Sequence, residues 1–195
     1  MHGLINRSIQ NYVVDSYGQK LWEDAAAAAG LDSPEIEAML SYDDAMTPAI
    51  LDAVSMVLSR PREELMEDIG TYLVSNPKVE ALRRLLRFGG VNFEEFLHSL
   101  DDLPDRARLA VSDLDLPEIE LLDHEEGRYS LVCSSGVDGF GHVLMGTLRA
   151  MADDYGALAL LEHMGCIAGR ENISITLVEA EFAAGRAFEL GARAG

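Results

Sequence analysis

Apolar residues recur at helical spacing through the first two-thirds of the chain. Over residues 3–17, Leu4, Ile5, Ile9, Tyr12, Val13 and Tyr17 share one face, and Gly18 offers a stop. Residues 22–29 are alanine-rich and predict a helix that ends at Gly30. A capping residue precedes a proline three times, at Ser33-Pro34, Thr47-Pro48 and Asn76-Pro77. Each pair predicts a helix start, because the N–H that proline lacks has no partner in a first turn. Ser59 is placed to cap a helix over 61–74. Gly89-Gly90 breaks the pattern before Asn92, which with Glu95 predicts a capping box.

The stretch 92–111 carries a stripe at Phe93, Phe96, Leu97, Leu100, Leu103, Ala107 and Ala110/Val111. Pro104 falls on that stripe, four residues after Leu100, so it is predicted to face the core. A proline inside a helix removes a hydrogen bond and crowds a carbonyl, at about 3 kcal/mol. The helix therefore either kinks here or a new one begins near Asp102–Leu103. After residue 115 the period shortens. Residues 118–123 and 128–134 read as strands around a hairpin loop at 124–127. Asp138 is placed to cap a helix to about Tyr155, with Phe140, Val143, Leu144, Thr147, Leu148 and Met151 inward. Residues 157–163 and 172–182 read as two more strands, joined by a loop over 164–170. The tail, 183–195, is expected to fray or to form a short helix. Helices first and a mixed αβ part second predict an α+β fold.

Composition narrows the function. The chain has 195 residues, suited to one domain or one domain with two subdomains, and 48% are hydrophobic. With 34 Asp+Glu against 15 Lys+Arg the net charge is −19, which repels nucleic acid and anionic lipid. Cys133 and Cys166 have neither metal nor disulfide-framework spacing. The N-terminus lacks the pattern of a signal peptide and no apolar run approaches a membrane span, so a cytoplasmic protein is expected. The five histidines include no HExxH spacing; P-loop, GxGxxG and GxSxG motifs are absent too, and Ser134-Ser135-Gly136 resembles a nucleophile elbow only loosely. No enzyme is predicted.

Three stretches carry a resemblance: MHGLINRSIQNYVVDSYGQKLWEDAAAAAGLD at the start, SYDDAMTPAILDAVSMVLSRPREELMEDIGTYLV with Tyr42-Asp43-Asp44, and FEEFLHSLDDL. Together they resemble the H-NOX (haem nitric oxide/oxygen binding, HNOB) family, the gas-sensing domains of soluble guanylate cyclase and of bacterial signalling proteins. The resemblance runs over about residues 1–182. It implies a single domain, with a helical subdomain over about 1–90 and an αβ subdomain over 91–182. The second would hold a small, mostly antiparallel four-stranded sheet, and 183–195 would be a tail.

The same resemblance locates the family's haem contacts. Its proximal histidine corresponds to Pro104, and Pro117 matches a proline that presses on the haem. Its Tyr-x-Ser-x-Arg motif for the propionates corresponds to the run from Cys133 to Val137, in which only Ser135 is kept. Val143 matches a distal-pocket position. With the helix faces this implies a pocket lined by Leu97, Leu100, Pro104, Pro117, Cys133, Ser135, Val137, Phe140, Val143, Leu144 and Leu148. No other residue is an obvious iron ligand. His98, six residues before Pro104, is rotated about 240° from it on a helix. His142, beside the inward Val143, is expected to face outward, and Cys133 reads as a packed core thiol.

Three readings follow. The first is a sensory or regulatory domain that has lost conventional haem binding and takes an apolar or amphipathic small molecule. The resemblance suggests a histidine kinase or a cyclic-dinucleotide enzyme as its partner. The second keeps haem and NO/O2 sensing with atypical or absent axial ligation. The third is a protein-interaction module whose vestigial pocket is filled by side chains.

Overall fold

The computed structural model describes residues 2–112 and 116–188. Its helices are α1 (Gly3–Tyr17), α2 (Gln19–Ala28), α3 (Met46–Leu58), α4 (Arg62–Ser75), α5 (Glu80–Arg87), α6 (Phe93–His98) and α7 (Leu103–Ala110), with a 3-10 turn at Pro77–Val79. Strands β1 (Glu118–Asp123) and β2 (Arg128–Ser134) precede α8 (Phe140–Tyr155), and β3 (Leu158–Ile167) and β4 (Arg170–Glu179) follow it. The strands form one antiparallel sheet in the order β1-β2-β4-β3. The fold is α+β, with helices first and a sheet packed on one long helix.

Local chemistry explains where helices begin. Asn76 Oδ1 accepts from Lys78 N–H and starts the 3-10 turn. Asn92 Oδ1 accepts from Glu95 N–H at 2.8 Å, while Glu95 reaches back to Val91 N–H at 3.0 Å. Ser33-Pro34 starts no helix. The Pro34 carbonyl accepts from Trp22 Nε1 and Gln10 Nε2, and Ile36 N–H donates to Gln10 Oε1, so α1 and α2 hold this segment irregular. Thr47 does not cap α3: it is the helix's second residue, buried, and donates to Asn6 Oδ1 at 2.6 Å. Ser59 is the left-handed end of α3 (φ 53°) and makes no cap for α4.

Strand β3 is longer than the pattern predicts, and β4 begins two residues earlier and ends three residues earlier than predicted. Gly165 (φ 95°) reads as loop but sits at an irregularity within β3, and the connection shrinks to a tight turn at Ala168-Gly169, both with positive φ. Of the predicted tail, residues 183–188 are neither helix nor free end, because Ala183 and Arg186 hydrogen-bond to the end of α8. Residues 189–195 lie outside the described residues.

Two hydrophobic cores result. One joins α1 to α4 around Trp22, Ile50, Leu65 and Met66. The other packs α6 and α8 on the inner sheet face, around Phe96, Leu97, Leu131, Leu148 and Ile173. Helices α4 and α8 cross between them at backbone contact. A Cβ on Gly70 would overlap the Val143 carbonyl, and one on Gly146 would overlap the Glu67 carbonyl. Thr71 Oγ1 and Thr147 Oγ1 donate across the crossing to the Gly146 and Gly70 carbonyls, each at 3.4 Å.

Candidate functional site

The stripe of 92–111 does not continue through Pro104. Helix α6 ends at His98, and α7 begins at Leu103 with Pro104 as its second residue. Proline there breaks no intrahelical bond. The interruption resets the helical phase, so Leu103 and Ala107 turn to the core and Pro104 is only half-buried, against expectation. Pro117 is half-buried just before β1.

Residues 133–148 separate rather than converge. Cys133 is buried on the inner face of the sheet, and burial pushes its thiol up to about 12. Ser135 Oγ is engaged locally, accepting from Val137 N–H at 3.0 Å. Val137 is buried in the N-terminal core. Helix α8 presents Val143 to that same core and Leu144 and Leu148 to the other, with Phe140 packed at the second core's margin. Leu97 and Leu100 are buried in the second core as well. The predicted lining is thus divided between two cores on opposite faces of α8.

A polar cluster that the sequence did not reveal sits at the start of α8. Glu171 of β4 is buried and accepts from Gly141 N–H at 3.1 Å, capping a helix whose own N-cap, Gly139, has no side chain to do so. His163 Nε2 of β3 is 2.8 Å from the same carboxylate oxygen. His142 stacks on His163, with ring centroids 4.3 Å apart and 18° between planes. His142 is therefore half-buried and not outward-facing. Burial and the neighbouring His163 hold its pKa below the ordinary value. Gly141 admits the cluster, since a Cβ would lie 2.7 Å from Glu171 Oε2. Gly141, in the first turn of α8, is the residue in the sequence that signals this close approach.

The Haem-NO-binding (HNOB) family matches residues 2–163. The chain belongs to the H-NOX family. Among curated relatives, soluble guanylate cyclase gcy-31 of Caenorhabditis elegans is 25% identical over 154 residues, 79% of this chain and 22% of the relative. Soluble guanylate cyclase 89Db of Drosophila melanogaster is 22% identical over 164 residues, 84% of this chain and 24% of the relative. The chain thus spans about a quarter of the length of these relatives. The unliganded Fe(II) H-NOX protein from K. algicida superimposes with a TM-score of 0.79 at 15% identity, covering 92% of this chain and 97% of that one. An S. oneidensis H-NOX protein in the Fe(II)NO state gives 0.73 at 19% identity, covering 91% and 99%.

In this H-NOX domain the remaining histidines serve local structure. His98 is exposed, lies edge-on to Tyr129 and is 3.6 Å from Asp123. His124 Nε2 is 2.8 Å from Ser130 Oγ on the outer hairpin. Among the described residues, no group of three or more His, Cys, Asp or Glu side chains is placed to hold a metal ion. No described helix is long and apolar enough to cross a membrane. Two surface clefts, of about 210 and 170 Å³, are lined by residues 74–77, 80, 83 and 186 and by 62, 63, 66, 138 and 139. No predicted pocket residue of the H-NOX site lines either.

Proposed function

We propose that this chain is an H-NOX-type regulatory domain that works without haem held in the family's manner, its pocket position closed by side chains. One observation carries the reading: the residues that should line a single space fall into two separate cores, on the two faces of α8. The residues at the family's haem positions do not fit the group. Pro104 offers iron no donor atom, Val137 offers a propionate no charge, and the Cys133 thiol is held protonated by burial. The domain then acts through protein contacts, passing a shift between its helical and αβ parts to a partner effector in the cytoplasm. The division of the chain near residue 90 is part of this proposal.

A small-molecule sensor is the second reading. It draws support from Leu97, Leu100, Leu144 and Leu148, an apolar set suited to lining a pocket. It needs an apolar cavity of about 300 Å³ or more, larger than either described cleft, and both clefts carry charged residues.

The deciding experiment expresses the protein with haem supplied and records its absorption. We expect no Soret band at stoichiometric intensity, from the parent or from the P104H/V137R double variant. One haem bound per parent chain would overturn the proposal. Haem gained only by the double variant would show that a cavity persists, and would return the small-molecule reading.

A further inference from the structure

We propose that residues 183–188 form a strap with a docked and a released state, and that docking reports the placement of α5 against α8. The inference rests on reading the domain as a regulatory module. After β4 the chain doubles back to the end of α8. There Ala183 N–H donates to the Gly156 carbonyl and Arg186 N–H to the Asp154 carbonyl, each at 2.9 Å. Two glycines permit the approach. A Cβ on Gly156 would overlap the Ala183 carbonyl, and one on Gly185 would lie 2.7 Å from the Asp154 carbonyl.

The strap is held from two helices at once. Asp154, fully buried at the end of α8, receives Arg83 of α5 on Oδ1, through Nε at 2.9 Å and a terminal nitrogen at 2.7 Å. Arg83 also donates to the Ala187 carbonyl at 3.4 Å. Arg87, the next turn of α5, lies 3.9 Å over the Tyr155 ring and 4.9 Å from the Phe188 ring, so one guanidinium joins α8 to the strap. Neither α5 nor α8 alone presents this set of partners. Any movement that separates the helices removes part of the strap's seat, and by linkage release of the strap loosens α5 on α8.

The strap is also built to let go. Residues 183–187 are exposed, and a few partly solvated hydrogen bonds replace the apolar burial that holds the cores. Three guanidiniums attend a single carboxylate unequally. Arg83 is bonded, Arg87 Nε stands 3.7 Å from Oδ2, and Arg186 Nε is farthest, 3.8 Å from Oδ1. The strap's own cation stands at ion-pair distance, outside hydrogen-bond range. A small displacement of α5 is thereby converted into freedom of residues 183–188.

Amide hydrogen exchange on the full chain tests this. The Ala183 and Arg186 amides should exchange at least tenfold more slowly than in a free peptide of the same sequence. Gly185→Val, at an exposed position outside both cores, should bring the strap to peptide rates and speed exchange in α5 several-fold. Arg83→Gln should do the same from the other side. Exchange in α1 checks that R83Q is folded, and G185V stands if it is not. Unprotected strap amides in the parent would overturn the proposal, as would variants that change only their own segment or couple in one direction only. The readout is independent of haem: a stoichiometric Soret band would sink the functional reading above and leave this result standing.

Discussion

The two cores of the molecule are held by different means. The N-terminal core is stitched with buried polar contacts. Asn6 and Thr47 pair inside it, and the side chains of Gln10 and Trp22 secure the irregular segment around Pro34. The C-terminal core is apolar where Leu, Ile and Phe side chains of α6, α8 and the sheet close on one another, and its buried polar groups, Glu171 and Asp154, stand at the two ends of α8. A buried polar pair is costly unless satisfied, so it fixes one arrangement of neighbours, whereas apolar packing tolerates several. The helical half is thus specified by bonds within its core, and the αβ half by apolar volume at its centre and by charged bonds at the ends of α8. Helices α4 and α8 join the halves at their glycine crossing, and little space is left between them there.

The strongest way to break this contrast is to empty the second core. Leu148→Ala should cost about 2–5 kcal/mol in denaturant unfolding if that face of α8 is fully packed. A loss below about 1 kcal/mol would mean that Leu148 borders open space, and the pocket reading would return. Next is the crossing itself. Gly146→Val should cost about 1–3 kcal/mol, because its side chain must displace the Glu67 carbonyl of α4. Near-neutral behaviour would show that α4 and α8 do not meet at backbone contact.

The smallest effect concerns pH. His142 has a folded pKa below its ordinary 6.5, for burial and the adjoining His163 both disfavour its charge, against the opposing pull of Glu171 and Glu63. Its contribution to stability is therefore whole above about pH 6.5 and is lost as pH falls through the folded value. His142→Gln should flatten the acid-side decline in unfolding free energy below pH 6.5, measured in parallel with the parent. An unchanged slope would remove the stacked pair from the forces holding β3 to α8.

Several elements were legible because the information that builds them is local. The first hairpin has the strand limits that its alternation predicts, and Asn92 caps α6 by the bond its spacing with Glu95 suggests. The resemblance carried the family and the fold. The pocket was not legible in the same way. Turns counted through 99–102 put Pro104 on the core stripe, and that count fails once the helix ends and restarts. Ser33-Pro34 misled because side chains of α1 and α2, remote in sequence, claim its backbone.

By itself, then, the sequence determined the α+β order of elements, the caps at Asn76 and Asn92 and the resemblance to the H-NOX family. These depend on residues within a turn or two of each other, or on identity alone. Only the tertiary structure decided that Val137 and Val143 join one core and Leu144 and Leu148 another, that Glu171 caps α8 and that Arg83 reaches Asp154. Each of these turns on how closely elements remote in sequence approach. At α8 that distance is set by packing around Gly70, Gly141 and Gly146, and no single segment encodes it.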